Sequence, residues 1–156
     1  MTNRTAIDRT SERDLVITRT FHAPARIVFA AWTTPELLTR WWAPKSSGMT
    51  LTSCAVDVRV GGKYRFEFSH GSATMAFFGT YIEVVRNARL VWTNEESAGG
   101  AVTTLTLAES GGATLLTMHE RYPSKDALDQ SIAGMEGGMP ESFGQLDELL
   151  VTLGGT

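Results

Sequence analysis

The sequence has little cysteine, no long apolar run and no surplus of positive charge, and each shortage excludes a class of protein. Cys54 is the single cysteine, so no disulfide can form within the chain, and a reducing compartment is expected. No run approaches the roughly 20 apolar residues that cross a bilayer, and residues 1–13 lack the apolar stretch of a secretory signal. The net charge of −3 leaves no excess for phosphates, so a nucleic acid is not an expected partner. We expect a cytoplasmic protein without a membrane span.

The usual motifs of catalysis and metal binding are also missing. His22, His70 and His119 are far apart, and none belongs to a metal-ligand spacing such as H-E-x-x-H. The chain has no G-x-S-x-G nucleophile motif and no phosphate-binding glycine loop. The sequence therefore predicts no catalytic residue, no metal and no cofactor.

The length and composition fit one domain. The chain has 156 residues, of which 42% are hydrophobic, enough to bury an ordinary core. Residues 1–13 are polar and carry no periodic pattern, which predicts a flexible N-terminal tail. Residues 14–153 form the predicted domain.

Alternation of apolar and polar residues predicts seven strands. The first begins at Leu15, two short helices follow it, and six further strands lie between Met49 and Tyr122. The clearest of them covers residues 63–68, where aromatic and charged side chains alternate. Consecutive strands joined by short turns are typical of an antiparallel sheet.

A long helix is predicted at the C-terminal end. Pro123 and Ser124 give a start signal, and apolar residues recur every three or four positions from Ile132 to Leu153. Pro140 costs about 3 kcal/mol inside a helix, which predicts a kink or a break; the continuous apolar stripe favours a kink. The predicted fold class is α+β, with a curved seven-stranded antiparallel sheet wrapped on the long helix and two short helices between the first two strands.

Several sequence segments resemble one protein family. Residues 32–44 (WTTPELLTRWWAP) contain three of the four tryptophans, and residues 61–66 (GGKYRF) form a glycine turn before an alternating strand. With residues 134–139 (GMEGGM), they resemble the Hsp90 ATPase activator homologue 1-like (AHSA1-like) family of the START/Bet v 1-like (SRPBCC) superfamily. The resemblance spans roughly residues 14–153 and implies the helix-grip fold.

The resemblance also implies a hydrophobic cavity between the sheet and the C-terminal helix, which superfamily relatives use for apolar ligands. The expected ligand is a lipid, sterol or polyketide-like molecule, and the protein is expected to be a monomer or a homodimer. Aromatic, methionine and histidine side chains form the candidate ligand-binding set. This set comprises Trp32, Trp41, Trp42, Phe66, Phe68, Phe77, Tyr81, Trp92, His119, Met135, Met139 and Phe143.

Two other functions stay open at this point. Superfamily relatives fold polyketide chains, so an aromatase/cyclase-like enzyme acting on a polyketide-type substrate is one alternative. Glu83, His119 and Tyr81 are its candidate polar groups. The family name suggests an Hsp90 co-chaperone-like module, although Hsp90 is not the partner that we expect. Because the sequence lacks a catalytic constellation, it favours a non-enzymatic binding protein.

Overall fold

The computed structural model describes residues 5–95 and 100–153. The elements in chain order are β1 (Ala6–Arg9), β2 (Asp14–Phe21), α1 (Ala25–Thr33), α2 (Pro35–Trp41), a short 3₁₀ helix (Lys45–Ser47), β3 (Thr50–Val56), β4 (Lys63–His70), β5 (Ala73–Val85), β6 (Arg89–Thr93), β7 (Val102–Ser110), β8 (Ala113–Arg121) and α3 (Lys125–Thr152). Within these ranges, no helix has the length and apolar character needed to span a membrane.

The strands form one antiparallel sheet in the order β1-β2-β8-β7-β6-β5-β4-β3. The strands from β3 to β8 follow one another as neighbours, whereas α1 and α2 connect β2 to the far edge strand β3. The register shifts between Leu51 and Ser53 on β3, and between Tyr81 and Glu83 on β5. Such bulges bend and twist a strand locally, so the sheet is curved and presents a concave face to α3.

Within residues 5–95 and 100–153 the sheet has eight strands, and the predicted number of seven is wrong. The additional strand, β1, pairs with residues 15–18 of β2. It lies within the segment 1–13 that was predicted as a flexible tail, of which residues 1–4 are outside the described residues. Three of the four residues of β1 are exposed, so its sequence lacks the alternation that reveals a half-buried strand.

Helix α3 packs against the concave face as a single helix of 28 residues. The predicted start is confirmed, because the Ser124 side chain accepts a hydrogen bond from the Ala127 backbone N–H at 3.1 Å and so caps the first turn. The helix continues through Pro140 without a break. Its buried residues are Leu128, Met139, Ser142, Phe143, Leu146, Leu149 and Leu150.

The C-terminal half of α3 is tightly packed in the core. Phe143 is fully buried, and its ring meets the Phe21 ring edge-on at 5.5 Å. Trp41 packs against Trp32 at 4.8 Å between ring centroids and donates its indole N–H to the Ala31 carbonyl at 3.0 Å. Both of these tryptophans also contact the Phe143 ring. Helices α1 and α2 are thereby fixed to each other and to α3.

Candidate functional site

A cavity of about 700 Å³ lies between residues 130–142 of α3 and the sheet. Strands β4, β5, β6 and β8 supply one wall, and residues of α1 and α2 close one side. Most of the wall is apolar, and much of it is aromatic. The aromatic lining residues are Trp32, Trp42, Tyr64, Phe66, Phe77, Tyr81, Trp92 and Tyr122.

Small residues on α3 account for the free space. Gly134 and Gly138 both line the cavity, and neither sends a side chain from the helix towards the sheet. A Cβ atom added to Gly134 would meet no atom within 4 Å. Met135 and Met139 line the cavity beside them, and unbranched methionines adapt easily to irregular spaces. The glycines therefore leave space between α3 and the sheet. Further along the helix, the buried side chains of Leu146, Leu149 and Leu150 fill the core.

Eight of the twelve predicted ligand-binding residues line this cavity. They are Trp32, Trp42, Phe66, Phe77, Tyr81, Trp92, Met135 and Met139. The other four are Trp41, Phe68, His119 and Phe143, and the structure places none of them in the cavity wall.

Three of these four lie in the core. Trp41, Phe68 and Phe143 are each at most 2% exposed. Phe68 packs against Phe77 at 5.2 Å and against Trp42 at 6.5 Å between ring centroids, so it supports two residues that do line the cavity. Aromatic side chains fill cores as readily as ligand pockets, and their spacing along the chain does not separate the two roles.

His119 lies on the opposite face of β8, because the residues on either side of it line the cavity. Its Nε2 is 2.8 Å from Asp14 Oδ1, and Arg121 donates to Asp14 Oδ2 at 2.8 Å. A hydrogen bond from Ser11 makes the largest contribution to lowering the pKa of Asp14 to about 2, and these two partners lower it further. His119 therefore belongs to a polar cluster that joins β2 to β8 outside the cavity.

Glu120 is a polar cavity residue that the sequence pattern did not reveal. It is 8% exposed and lines the cavity. The Thr103 hydroxyl donates to its Oε2 at 2.5 Å, and the Tyr122 hydroxyl donates to its Oε1 at 3.0 Å. The available signal was the alternation along β8, but two adjacent leucines obscured it. Leu116 is fully buried and Leu115 is 45% exposed, which places the even-numbered residues of β8 inside.

Further polar side chains connect to Glu120 through Thr103. The Tyr64 hydroxyl donates to the Thr93 carbonyl at 2.7 Å, and Asn94 Oδ1 lies 3.2 Å from the same hydroxyl. Asn94 Nδ2 in turn donates to Thr103 Oγ1 at 3.0 Å. These contacts form a polar series, Tyr64–Asn94–Thr103–Glu120, along one part of a mostly apolar wall.

The side chains of Tyr81, Tyr122 and Cys54 stay protonated at neutral pH. Burial raises the pKa of Tyr81, and burial together with the nearby Glu120 raises the pKa of Tyr122. Both phenols therefore remain hydrogen-bond donors. Burial also raises the pKa of the half-buried Cys54 thiol to about 11, which works against a role as a nucleophile because the thiolate is the reactive form.

The candidate polar groups of the enzyme alternative are not brought together. Tyr81 lines the cavity, but Glu83 is outside its lining and forms an ion pair with Arg89 at 2.9 Å. His119 lies on the outer face of β8 and pairs with Asp14 there. Of these three groups, one faces the space that a substrate would occupy, so the cyclase alternative stays a prediction from the resemblance.

The comparison with known families agrees with the family resemblance that the sequence shows. A sequence model of the activator of Hsp90 ATPase homologue 1-like proteins matches residues 22–151. The chain belongs to this family. The α+β architecture of the AHSA1-like chain, with an antiparallel sheet and a long C-terminal helix, is the predicted helix-grip fold.

Solved structures share the fold of this AHSA1-like chain over almost their full length. A protein from Rhodobacter sphaeroides is 28% identical with a TM-score of 0.89, covering 96% of this chain and 99% of that one. A protein from Chromobacterium violaceum is 29% identical with a TM-score of 0.72, covering 87% and 96%. An AHSA1-like protein from Aeromonas hydrophila is 24% identical with a TM-score of 0.71, covering 86% of this chain and 93% of that one. At this identity, the similarity supports a shared fold and nothing further. No functionally curated protein matches the sequence. The AHSA1-like fold fits a ligand-binding role.

Proposed function

We propose that this AHSA1-like protein binds a small hydrophobic or aromatic molecule in the cavity between α3 and the sheet. The observation that carries the proposal is the cavity itself, about 700 Å³ in volume with eight aromatic side chains in its lining. Pockets for small molecules have volumes of roughly 300–1,000 Å³ and mostly apolar walls with a few polar groups. The cavity has both properties.

The energetic reason is the removal of apolar surface from water. A methylene group of a ligand that moves from water onto an apolar wall contributes about 0.8 kcal/mol. The rings of Trp92 and Phe77 on the sheet and the side chains of Met135 and Met139 on α3 provide such walls. Since methionine side chains rotate easily, the helix side of the cavity adapts to ligands of different shape.

The test is a titration with N-phenyl-1-naphthylamine, an uncharged aromatic probe whose emission rises in apolar surroundings. We expect saturable binding with one probe per chain, accompanied by energy transfer from Trp32, Trp42 and Trp92, which line the cavity. Competition by 1-decanol, which is not fluorescent, should release the probe. An absence of saturable binding for both molecules would contradict the proposal.

A further inference from the structure

In the part of the chain that the structure describes, the cavity lining contains one acidic residue and no basic one. Glu120 lines the cavity, and none of the lining residues is Lys, Arg or His within the ranges that the structure describes. Glu120 is also among the buried polar residues of the chain. A charged group in surroundings of low polarity interacts strongly with any charge that enters the same space. Glu120 is therefore the one carboxyl group in the described part of the cavity lining.

Thr103 and Tyr122 both donate hydrogen bonds to the Glu120 carboxylate. Asn94 donates to Thr103 Oγ1, and Thr103 donates to Glu120 Oε2. Tyr122 donates to the other oxygen from the opposite side. Asn94, Thr103 and Tyr122 thus donate to acceptors within the protein. Connected hydrogen bonds polarise and so strengthen one another. The Glu120 carboxylate is therefore the acceptor at the end of these hydrogen bonds, and its side chain lines the cavity.

Aromatic rings lie on the same face of the sheet as this carboxylate. Trp92 is directly opposite Thr103 in the β6–β7 pairing, and Thr103 is directly opposite Glu120 in the β7–β8 pairing. Residues that are directly opposite each other in neighbouring strands project to the same face. Tyr81 on β5 is in turn directly opposite Trp92. These paired residues form a row across four strands, which consists of Tyr81, Trp92, Thr103 and Glu120. Aromatic faces attract cations through the negative charge above the ring, so the row combines a carboxylate with surfaces that favour a positive group.

We infer that the ligand of this cavity is an organic cation, an apolar or aromatic molecule with a protonated amine that binds the Glu120 carboxylate. The inference rests on the proposed function and narrows it. An ammonium group donates up to three hydrogen bonds and has no acceptor to compete with Thr103 or Tyr122. A fatty acid would instead bring a second carboxylate towards Glu120, and like charges in a desolvated site repel each other. The expected ligand class is therefore hydrophobic amines rather than fatty acids or neutral sterols.

The direct test is a matched series of decylamine, 1-decanol and decanoate, which share one chain and differ in the head group. Tryptophan emission and calorimetry report the three affinities for the wild-type protein at pH 7. We expect decylamine to bind about tenfold or more tightly than 1-decanol, since a hydrogen bond to a charged group contributes about 1.5–3 kcal/mol. Decanoate should bind more weakly than 1-decanol.

The outcomes of this series separate the inference from the proposed function. If 1-decanol or decanoate binds as tightly as decylamine, the inference is overturned while apolar binding stands. If none of the three binds and N-phenyl-1-naphthylamine does not bind either, the proposed function itself is contradicted. The wild-type series needs no variant, so it is decisive even where a substitution affects folding.

A pair of charge-removing variants tests the assignment to Glu120. Glu120→Gln should lower the affinity for decylamine about tenfold and change the affinity for 1-decanol by less than about threefold. Glu83→Gln is the matched control, because it removes one negative charge from the same sheet outside the cavity lining. The control should retain the full preference for decylamine. Retention of that preference in Glu120→Gln would overturn the role of Glu120.

Discussion

Replacing Gly134 by phenylalanine is expected to weaken ligand binding about tenfold or more without lowering the stability of the fold. Gly134 lines the cavity, and a Cβ atom added there meets no other atom within 4 Å. The new ring would occupy space that the ligand needs, and losing the burial of two methylene groups alone costs about 1.6 kcal/mol, or about tenfold in affinity. Removing a glycine from a helix interior favours the helix by a few tenths of a kcal/mol.

Gly137→Phe is the matched control for this prediction. Gly137 lies on the same helix, and a Cβ atom added there would also meet no atom within 4 Å, but this residue does not line the cavity. N-phenyl-1-naphthylamine should therefore bind to Gly137→Phe with the wild-type affinity. Equal affinities of Gly134→Phe and the wild-type protein would place the ligand elsewhere.

Replacing Phe143 by alanine is expected to lower the free energy of unfolding by about 3–5 kcal/mol, as is typical of truncating a buried aromatic residue. Phe143 is fully buried and its ring lies 5.5 Å from that of Phe21, with Trp32 and Trp41 also in contact. The substitution would leave a void in the tightly packed half of the core. Urea denaturation followed by far-ultraviolet circular dichroism measures the loss.

The control for the core variant is Val151→Ala on the same helix, where the side chain is 67% exposed. Its unfolding free energy should stay within about 0.5 kcal/mol of the wild-type value. The folded fraction of Phe143→Ala should bind N-phenyl-1-naphthylamine close to normally, because Phe143 does not line the cavity. A small loss of stability together with a large loss of affinity would show instead that Phe143 contacts the ligand.

The elements of the fold could be predicted because they have clear local signals. The alternation in residues 63–68 identifies β4, and Ser124 marks the start of α3. The extra strand β1 had no such signal, since its four residues are mostly exposed and are held by pairing with β2. Pro140 predicted a kink or a break, and the helix continues through it without a break because packing of the flanking turns outweighs local propensity.

The residues of the cavity lining could be predicted in part. Alternation shows on which face of the sheet a side chain lies, but not whether it lines the cavity or fills the core. Alternation places Phe66 and Phe68 on the same face of β4, but Phe66 lines the cavity whereas Phe68 is buried against the rings of Trp42 and Phe77. Glu120 was missed because the adjacent residues Leu115 and Leu116 are both apolar and fit either phase of β8. Only the pairing with β2 and β7 decides that phase.

The central claim is that the ligand lies between α3 and the sheet, and methyl spectra of the methionines test it most directly. Met49, Met118, Met135 and Met139 line the cavity, whereas Met75 is 42% exposed and does not. With ¹³C-labelled methionine methyls, saturation with N-phenyl-1-naphthylamine should shift the four cavity signals through the ring currents of the probe. The Met75 signal should stay in place. A shift of Met75 with the four cavity signals unchanged would contradict the account.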